Sequence, residues 1–232
     1  MPTLFPINHD LLADARSGWN EHHRLFWMVG ASGSGKSTVC QALGEQLGWP
    51  VFDMDAHIYG DWHARFDPVR HPVNTAWSRA ENGLAWLLSL SWAEFDQFNR
   101  AALAEYLDLL AQDLADQDPD TPLLVDGGVY HAALLAQAIP AQQILCLHVP
   151  DRSSLRLWTD DPARYTMRGF MDPLPDAEAA WHKFLDFDQG IADTLLAEGR
   201  AAGIPQVVRG QDDPVAETVS QVARHLSHAL RS

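Results

Sequence analysis

The chain has 232 residues, 47% of them apolar, and a formal net charge of −15. This length suits one domain, or one domain with an insertion, and the apolar share is enough for a full core. The acidic balance argues against a nucleic-acid backbone as partner, which would need clustered Lys and Arg, and leaves room for a small anionic ligand in an arginine-lined cleft.

No apolar run is long enough to span a bilayer, and the amino terminus lacks a basic stretch followed by an apolar one. A soluble, cytoplasmic protein with no membrane partner is therefore expected. The two cysteines, Cys40 and Cys146, show neither metal-ligand spacing nor a disulfide framework and read as core residues.

In residues 1–24, Leu11, Leu12, Ala15 and Trp19 recur at helical spacing and predict a helix capped near Asn8 or Asp10. His22 and His23 at its end read as dipole complement or surface. The apolar run Leu25–Val29 predicts a short buried strand. Gly30-Ala31-Ser32-Gly33-Ser34-Gly35-Lys36-Ser37-Thr38 then fits the pattern G-x-x-x-x-G-K-[ST] at every fixed position. A helical pattern follows, with Val39, Leu43 and Leu47 on one face and Gly48 as its stop.

That context gives the motif its chemistry. The backbone from Gly30 through Ser32, Gly33, Ser34 and Gly35 can bring N–H groups close to an oxyanion, and the helix start adds a favourable dipole. Lys36 can reach the β- and γ-phosphates, Ser37 can sit on Mg²⁺, and Thr38 can reach the α-phosphate. The expected ligands are ATP and Mg²⁺.

Val51-Phe52-Asp53 reads as a second strand. Asp53 and Asp55, at i and i+2 on its carboxyl end, are expected to point together toward the site; alternatively, one of them caps the segment that follows. Residues 56–120 form a long interval with helical stretches near 75–90 and 93–116. In the second stretch, Leu103, Tyr106, Leu107, Leu110 and Leu114 make a core-facing stripe. The interval reads as a small helical subdomain or lid, and most of Trp62, Trp77, Trp86 and Trp92 read as packing.

Thr121–Gly128 is a third strand ending in Asp126-Gly127-Gly128. Asp126 is placed for Mg²⁺ or its waters, or the Asp-Gly pair simply shapes a turn. Gln143–Val149 is a fourth strand, closed by Pro150. Residues 151–173 hold Arg152, Arg156, Arg164 and Arg168, which together suggest a phosphate-clamping lid. Arg152 and Arg156, at i and i+4, also fit ordinary helix charges, so Arg164 and Arg168 rank above them. Residues 177–200 read as helix and Pro205–Val208 as a last strand. The loop Arg209–Asp213 leads to a final helix that opens at Pro214, with Val215, Val219, Val222, Leu226 and Leu230 on its face.

The order predicts one α/β domain over residues 1–232. It is a three-layer, doubly wound parallel sheet of about five strands, of P-loop NTPase type, with a helical insertion at 56–120 and a lid at 151–173.

With these stations in this order, the chain resembles the small P-loop kinases that include shikimate kinase, gluconate kinase and the nucleoside monophosphate kinases. Phe52-Asp53-Met54-Asp55 resembles the D-x-D of shikimate kinase, and Asp126-Gly127-Gly128 its glycine turn. Phe98-Asn99-Arg100 with Glu105 echoes its substrate-binding arginine segment. Phe187 to Asp193, with Lys183 nearby, is similar to the helix after its lid, and Asp212-Asp213-Pro214 resembles the loop beside adenine. The insertion is longer and richer in tryptophan than in that family, and Val129 stands where a third glycine is usual.

The resemblance implies transfer of the ATP γ-phosphate to a hydroxyl, or a phosphate, of a small-molecule acceptor, without naming that acceptor. It implies that Lys36, Arg164 and Arg168 stabilise the transferred charge, that Arg164 also touches the nucleotide, and that Asp55 orients or deprotonates the acceptor. Ser37, Asp53 and Asp126 would serve the metal; Arg100, Lys183, His57, Gly127 and Gly128 would serve the acceptor. Two alternatives stay open: a polynucleotide or nucleotide-sugar kinase similar to zeta toxins, and a regulatory P-loop ATPase with no small acceptor.

Overall fold

The computed structural model describes residues 4–19, 24–150, 152–210 and 213–229. Its sheet has five strands, β1 (Leu25–Val29), β2 (Val51–Asp53), β3 (Leu123–Asp126), β4 (Ile144–His148) and β5 (Gln206–Val208). They run parallel in the order β2-β3-β1-β4-β5. All five residues of β1 are buried, as expected for a parallel strand covered on both faces.

The two-residue period of β1 divides the core. Trp27 and Val29 face one cluster, with α1 (His9–Trp19) and α6 (Trp92–Leu114); Phe26 and Met28 face the other, with α2 (Lys36–Leu47) and α11 (Val215–Ala229). The result is the three-layer α/β arrangement that the pattern implied. Because β1 lies between β3 and β4, neighbouring connections leave it in opposite directions, and a crevice opens at the carboxyl end of the strands.

The local signals act as read at most boundaries. Asn8 caps α1, its Oδ1 accepting from Asp10 N at 3.1 Å. Gly48 ends α2 in the left-handed conformation at φ 66°. His22, His23, Asp212 and Leu230 lie outside the described residues.

The insertion departs in detail. It comprises α3 (Met54–Ile58), a 3₁₀ turn at Asp61–Ala64, α4 (Pro72–Ser78), α5 (Gly83–Ser89) and α6. The single stretch read near 75–90 is two helices, because Asn82 starts a new one by accepting from Ala85 N at 3.0 Å. A capping box of Ser91 and Glu94 opens α6. On α6, Glu105 is buried with the leucines, since its two oxygens accept the N–H groups of Val73 and Asn74 at 2.9 and 2.8 Å and so cap α4 from another helix. Trp62 and Trp77 are buried. Trp86 packs edge-on against Phe98, and Trp92 against Phe187, so all four tryptophans take part in packing.

The connection from β3 to β4 holds only the four-residue α7 (Ala132–Leu135) and a 3₁₀ turn. After β4 come α8 (Ser154–Asp160), α9 (Thr166–Gly169) and the long α10 (Ala177–Ala201). Among the described residues, no helix is long and apolar enough to cross a membrane.

Candidate active site

The chain leaves β1 at Val29, turns through residues 30–35 and enters α2 at Lys36. Ser34 N donates to Ala31 O at 3.0 Å, and Val39 N to Gly35 O at 3.0 Å. Gly33 and Gly35 have φ of 76° and 84°. A side chain at Gly33 would displace Leu157, and one at Gly35 would come within 2.5 Å of Arg209 Nη1, so the backbone conformation favours glycine at both and a side chain would shift these neighbours. No side chain caps α2, and its first turn contains no acidic residue. The free N–H groups of a helix start are thereby left for an anion.

Asp53 and Asp126 are register partners at the ends of β2 and β3. Asp126 is buried with the Ser37 hydroxyl close by, while its Oδ1 has no partner. Burial pushes its carboxyl above the usual range; Ser37 and Lys36 oppose the shift, and the charge of Asp53 adds to it.

Of the two readings of Asp53 and Asp55, the capping one holds: the strand stops at Asp53 as expected, and the two carboxylates do not project together from it. The Asp53 side chain accepts from Ala56 N at 3.0 Å and caps α3, so Asp55 lies in the first helical turn. The turn still delivers Asp55 to the loop. Its Oδ2 and Lys36 Nζ both lie 3.5 Å from the point where a Gly127 Cβ would stand. Gly127 and Gly128 have φ of 67° and 74°, and Trp27 Nε1 donates to Gly127 O at 2.9 Å, fixing this turn. Burial raises the Asp55 carboxyl above its ordinary range; Lys36 opposes this, while Asp53 and Asp126 reinforce it.

Among the described residues, no three His, Cys, Asp or Glu side chains gather as a metal cage. The neighbouring Ser37 and Asp126, with the unpartnered Asp126 Oδ1, suit Mg²⁺, which keeps most of its shell for water and phosphate oxygens.

The arginines divide differently from the sequence ranking. Arg152, which also fitted an ordinary helix charge, has a side chain only 10% exposed. Its Nε donates to Ser32 O at 2.7 Å, and its Nη2 pairs with Asp188 on α10. Arg164 is paired with Asp161 at 3.3 Å and lies over the Trp158 ring. Arg168 is paired with Glu178 at 2.7 Å and lies over Trp181. These last two are engaged with Asp161, Trp158, Glu178 and Trp181, whereas Arg152 contacts the loop. Arg209, which the sequence reading passed over, follows β5 and reaches Ser34 O at 3.5 Å. Its place at a strand's carboxyl end was the available signal. A cavity of about 530 Å³ lies between Gly33 and the α8 residues Arg156 and Leu157.

Three acceptor candidates are engaged elsewhere. Arg100 donates to Asp96 Oδ2 at 2.8 Å and Glu198 Oε1 at 2.7 Å, a network that also includes His131. The resemblance implied an anion-binding arginine, but here two protein carboxylates occupy it. Lys183 Nζ sits 5.4 Å from the Phe187 ring centroid. His57 stacks on Phe52 and bonds Asp61 Oδ1 at 3.0 Å. The structure thus gathers Lys36, Ser37, Asp53, Asp55, Asp126 and Gly127, and ties Arg100, Lys183, Arg164 and Arg168 to other partners.

No protein-family model matches the chain, and no curated protein matches it in sequence. Among solved structures, shikimate kinase from Aquifex aeolicus vf5 is 15% identical, with 88% of this chain and 96% of that one covered at a TM-score of 0.44. A gluconokinase from Sinorhizobium meliloti 1021 is 18% identical, covering 90% and 95% at 0.45. TT1252 from Thermus thermophilus is 16% identical, covering 88% and 96% at 0.48. With the loop leaving the central strand and carboxylates closing β3 beside it and β2 beyond, the chain has an α/β fold of P-loop NTPase type.

Proposed function

We propose that the chain is an ATP-dependent phosphotransferase, a P-loop small-molecule kinase that moves the γ-phosphoryl group to a hydroxyl of a small acceptor. The observation that carries this reading is the approach of Lys36 Nζ and Asp55 Oδ2 to one position above Gly127. A cation for the phosphates and a carboxylate for an acceptor hydroxyl then face the same reacting centre, and phosphoryl transfer depends mainly on such positioning and charge.

The phosphates lie on the loop from Gly30 to Gly35 and on the first turn of α2, where Ser37 and Thr38 are exposed. Lys36 neutralises the transferred group. Asp55 orients the acceptor hydroxyl and takes its proton, a role that a carboxyl of raised proton affinity suits. Ser37 and Asp126 would hold Mg²⁺, with Asp53 beside them; when bound, the metal offsets charge on the β- and γ-oxygens. Arg164 and Arg168 add charge once the lid closes. Their present ion pairs lie on the surface, where such pairs are weak and easily exchanged. Gly127 and Gly128 border the acceptor, and a cytoplasmic setting completes the proposal.

The test is a screen of hydroxyl-bearing metabolites with γ-labelled ATP and Mg²⁺. Label should pass to one acceptor class. Asp55→Asn should lower that transfer by about 100-fold or more while ADP binding holds. Label appearing only on water, at an equal rate in both proteins, would overturn the proposal.

A further inference from the structure

We propose that Arg152 and Arg209 are positioning residues that hold the phosphate loop in its anion-binding shape by taking two of its carbonyl groups. Arg152 Nε donates to Ser32 O at 2.7 Å, and Arg209 Nη1 to Ser34 O at 3.5 Å. The described peptide bonds are all trans. In a trans peptide, the C=O of one residue and the N–H of the next point in opposite directions. Drawing the Ser32 carbonyl to Arg152 therefore aims the Gly33 N–H the other way, and drawing the Ser34 carbonyl to Arg209 does the same for Gly35. These are the two loop residues with positive φ, and inward N–H groups at such positions form an anion nest. This inference rests on the phosphate chain being the ligand of the loop.

The two guanidinium groups are held differently: Arg152 is paired with a carboxylate, whereas Arg209 donates to two main-chain carbonyls. Arg152 also donates from Nη1 to Ser154 Oγ at 2.9 Å and pairs with the buried Asp188 through Nη2. Arg209 Nη2 donates to Asp213 O at 3.2 Å, and Gly210 N donates to Asp213 Oδ2 at 2.6 Å, closing the turn that carries it. The Arg152 head, committed in this way, shapes the loop rather than clamps phosphate. Leu157 of α8 seats on Gly33, so the base of the lid bears on the same loop.

Titration calorimetry of the full chain with ADP and with pyrophosphate tests this. The wild type binds both; if it binds neither, the phosphotransferase reading itself falls. Arg152→Lys keeps the charge but cannot serve Ser32, Ser154 and Asp188 together. It should weaken ADP and pyrophosphate by the same factor, about 10-fold or more. Asp188→Asn should weaken both as well, although it removes a negative charge. If Arg152 instead bound phosphate directly, the lysine variant would keep most of the affinity and Asp188→Asn would raise it; either result overturns the proposal. So does a loss confined to ADP, which would place the effect at the base. Should the Arg152 variants fail to melt cooperatively, Arg209→Lys is read by the same criteria, and unchanged affinity there overturns the proposal.

Discussion

The Ser37 hydroxyl stands near the Asp126 carboxyl and opposes the rise in its pKa that burial brings, so the first turn of α2 and the carboxyl end of β3 share one polar site. Asp126→Asn keeps a polar side chain of the same shape beside Ser37 and removes the charge. The Mg²⁺ concentration for half-maximal turnover should rise by about 10-fold or more. The melting temperature should hold, because burial already disfavours the charged form. A Mg²⁺ titration of turnover for the variant and wild type checks this.

The raised proton affinity of Asp55 sets the acid limit of activity. Its folded-state pKa lies above the usual value of about 3.9. The kcat/KM of the wild type should therefore fall as pH drops through that elevated value, and the limb should vanish in Asp55→Asn. The sign for stability is the reverse. A carboxyl that holds its proton more tightly when folded contributes stability at low pH and loses it as pH rises. Asp55→Asn should thus leave the protein at least as stable at pH 7, as measured by denaturant unfolding.

Gly127 and Gly128 separate function from folding. A Gly127 Cβ would meet Lys36 Cε at 2.6 Å, the flexible end of a side chain, whereas one on Gly128 would overlap the Met54 Cβ. Both glycines have positive φ, so alanine costs about 1 kcal/mol at either position from backbone strain. Gly127→Ala should fold and lose most of its turnover, because Lys36 is displaced. Gly128→Ala should be the less stable of the two, since helix α3 has to move. Melting curves and turnover, measured together, distinguish them.

Asp108 anchors the far end of the insertion. It accepts from Arg70 Nε at 2.7 Å, His71 Nε2 at 2.9 Å and Gln112 Nε2 at 2.8 Å. Burial alone would raise its pKa, but His71 and Arg70 outweigh it and hold the carboxyl well below its ordinary range. The depressed value means that this stabilisation is present above the unfolded pKa of about 3.9 and is lost as pH falls toward the folded one. Asp108→Ala should cost about 3 kcal/mol at pH 7, because it leaves buried donors unpaired. Urea unfolding at pH 7 and at lower pH should show the gap to wild type narrowing with acid.

Local signals made much of this legible. The apolar runs at Leu25–Val29 and Ile144–His148 became strands because a doubly covered parallel sheet needs no alternation. Residues 30–38 carried their own conformation in their glycines. What stayed hidden depends on partners distant in the chain. Arg152 meets Ser32 across 120 positions, and Arg100 meets Glu198 across 98; no periodicity reports either. Asp53 and Asp55 left two readings open for a local reason, since a strand end and a helix cap share the same residue preferences until the backbone chooses. The tryptophans of the insertion were ambiguous by type, because a ring can fill a core or line a cleft.

Both native thiols are sealed away. Cys40 and Cys146 are buried, and burial pushes both pKa values up, that of Cys146 to about 11, so neither presents a reactive thiolate at neutral pH. Tyr165, on the lid, is 53% exposed. Tyr165→Cys therefore provides a unique attachment point for a maleimide dye without removing either native cysteine. Its emission can follow lid movement during nucleotide titration in an otherwise unaltered protein.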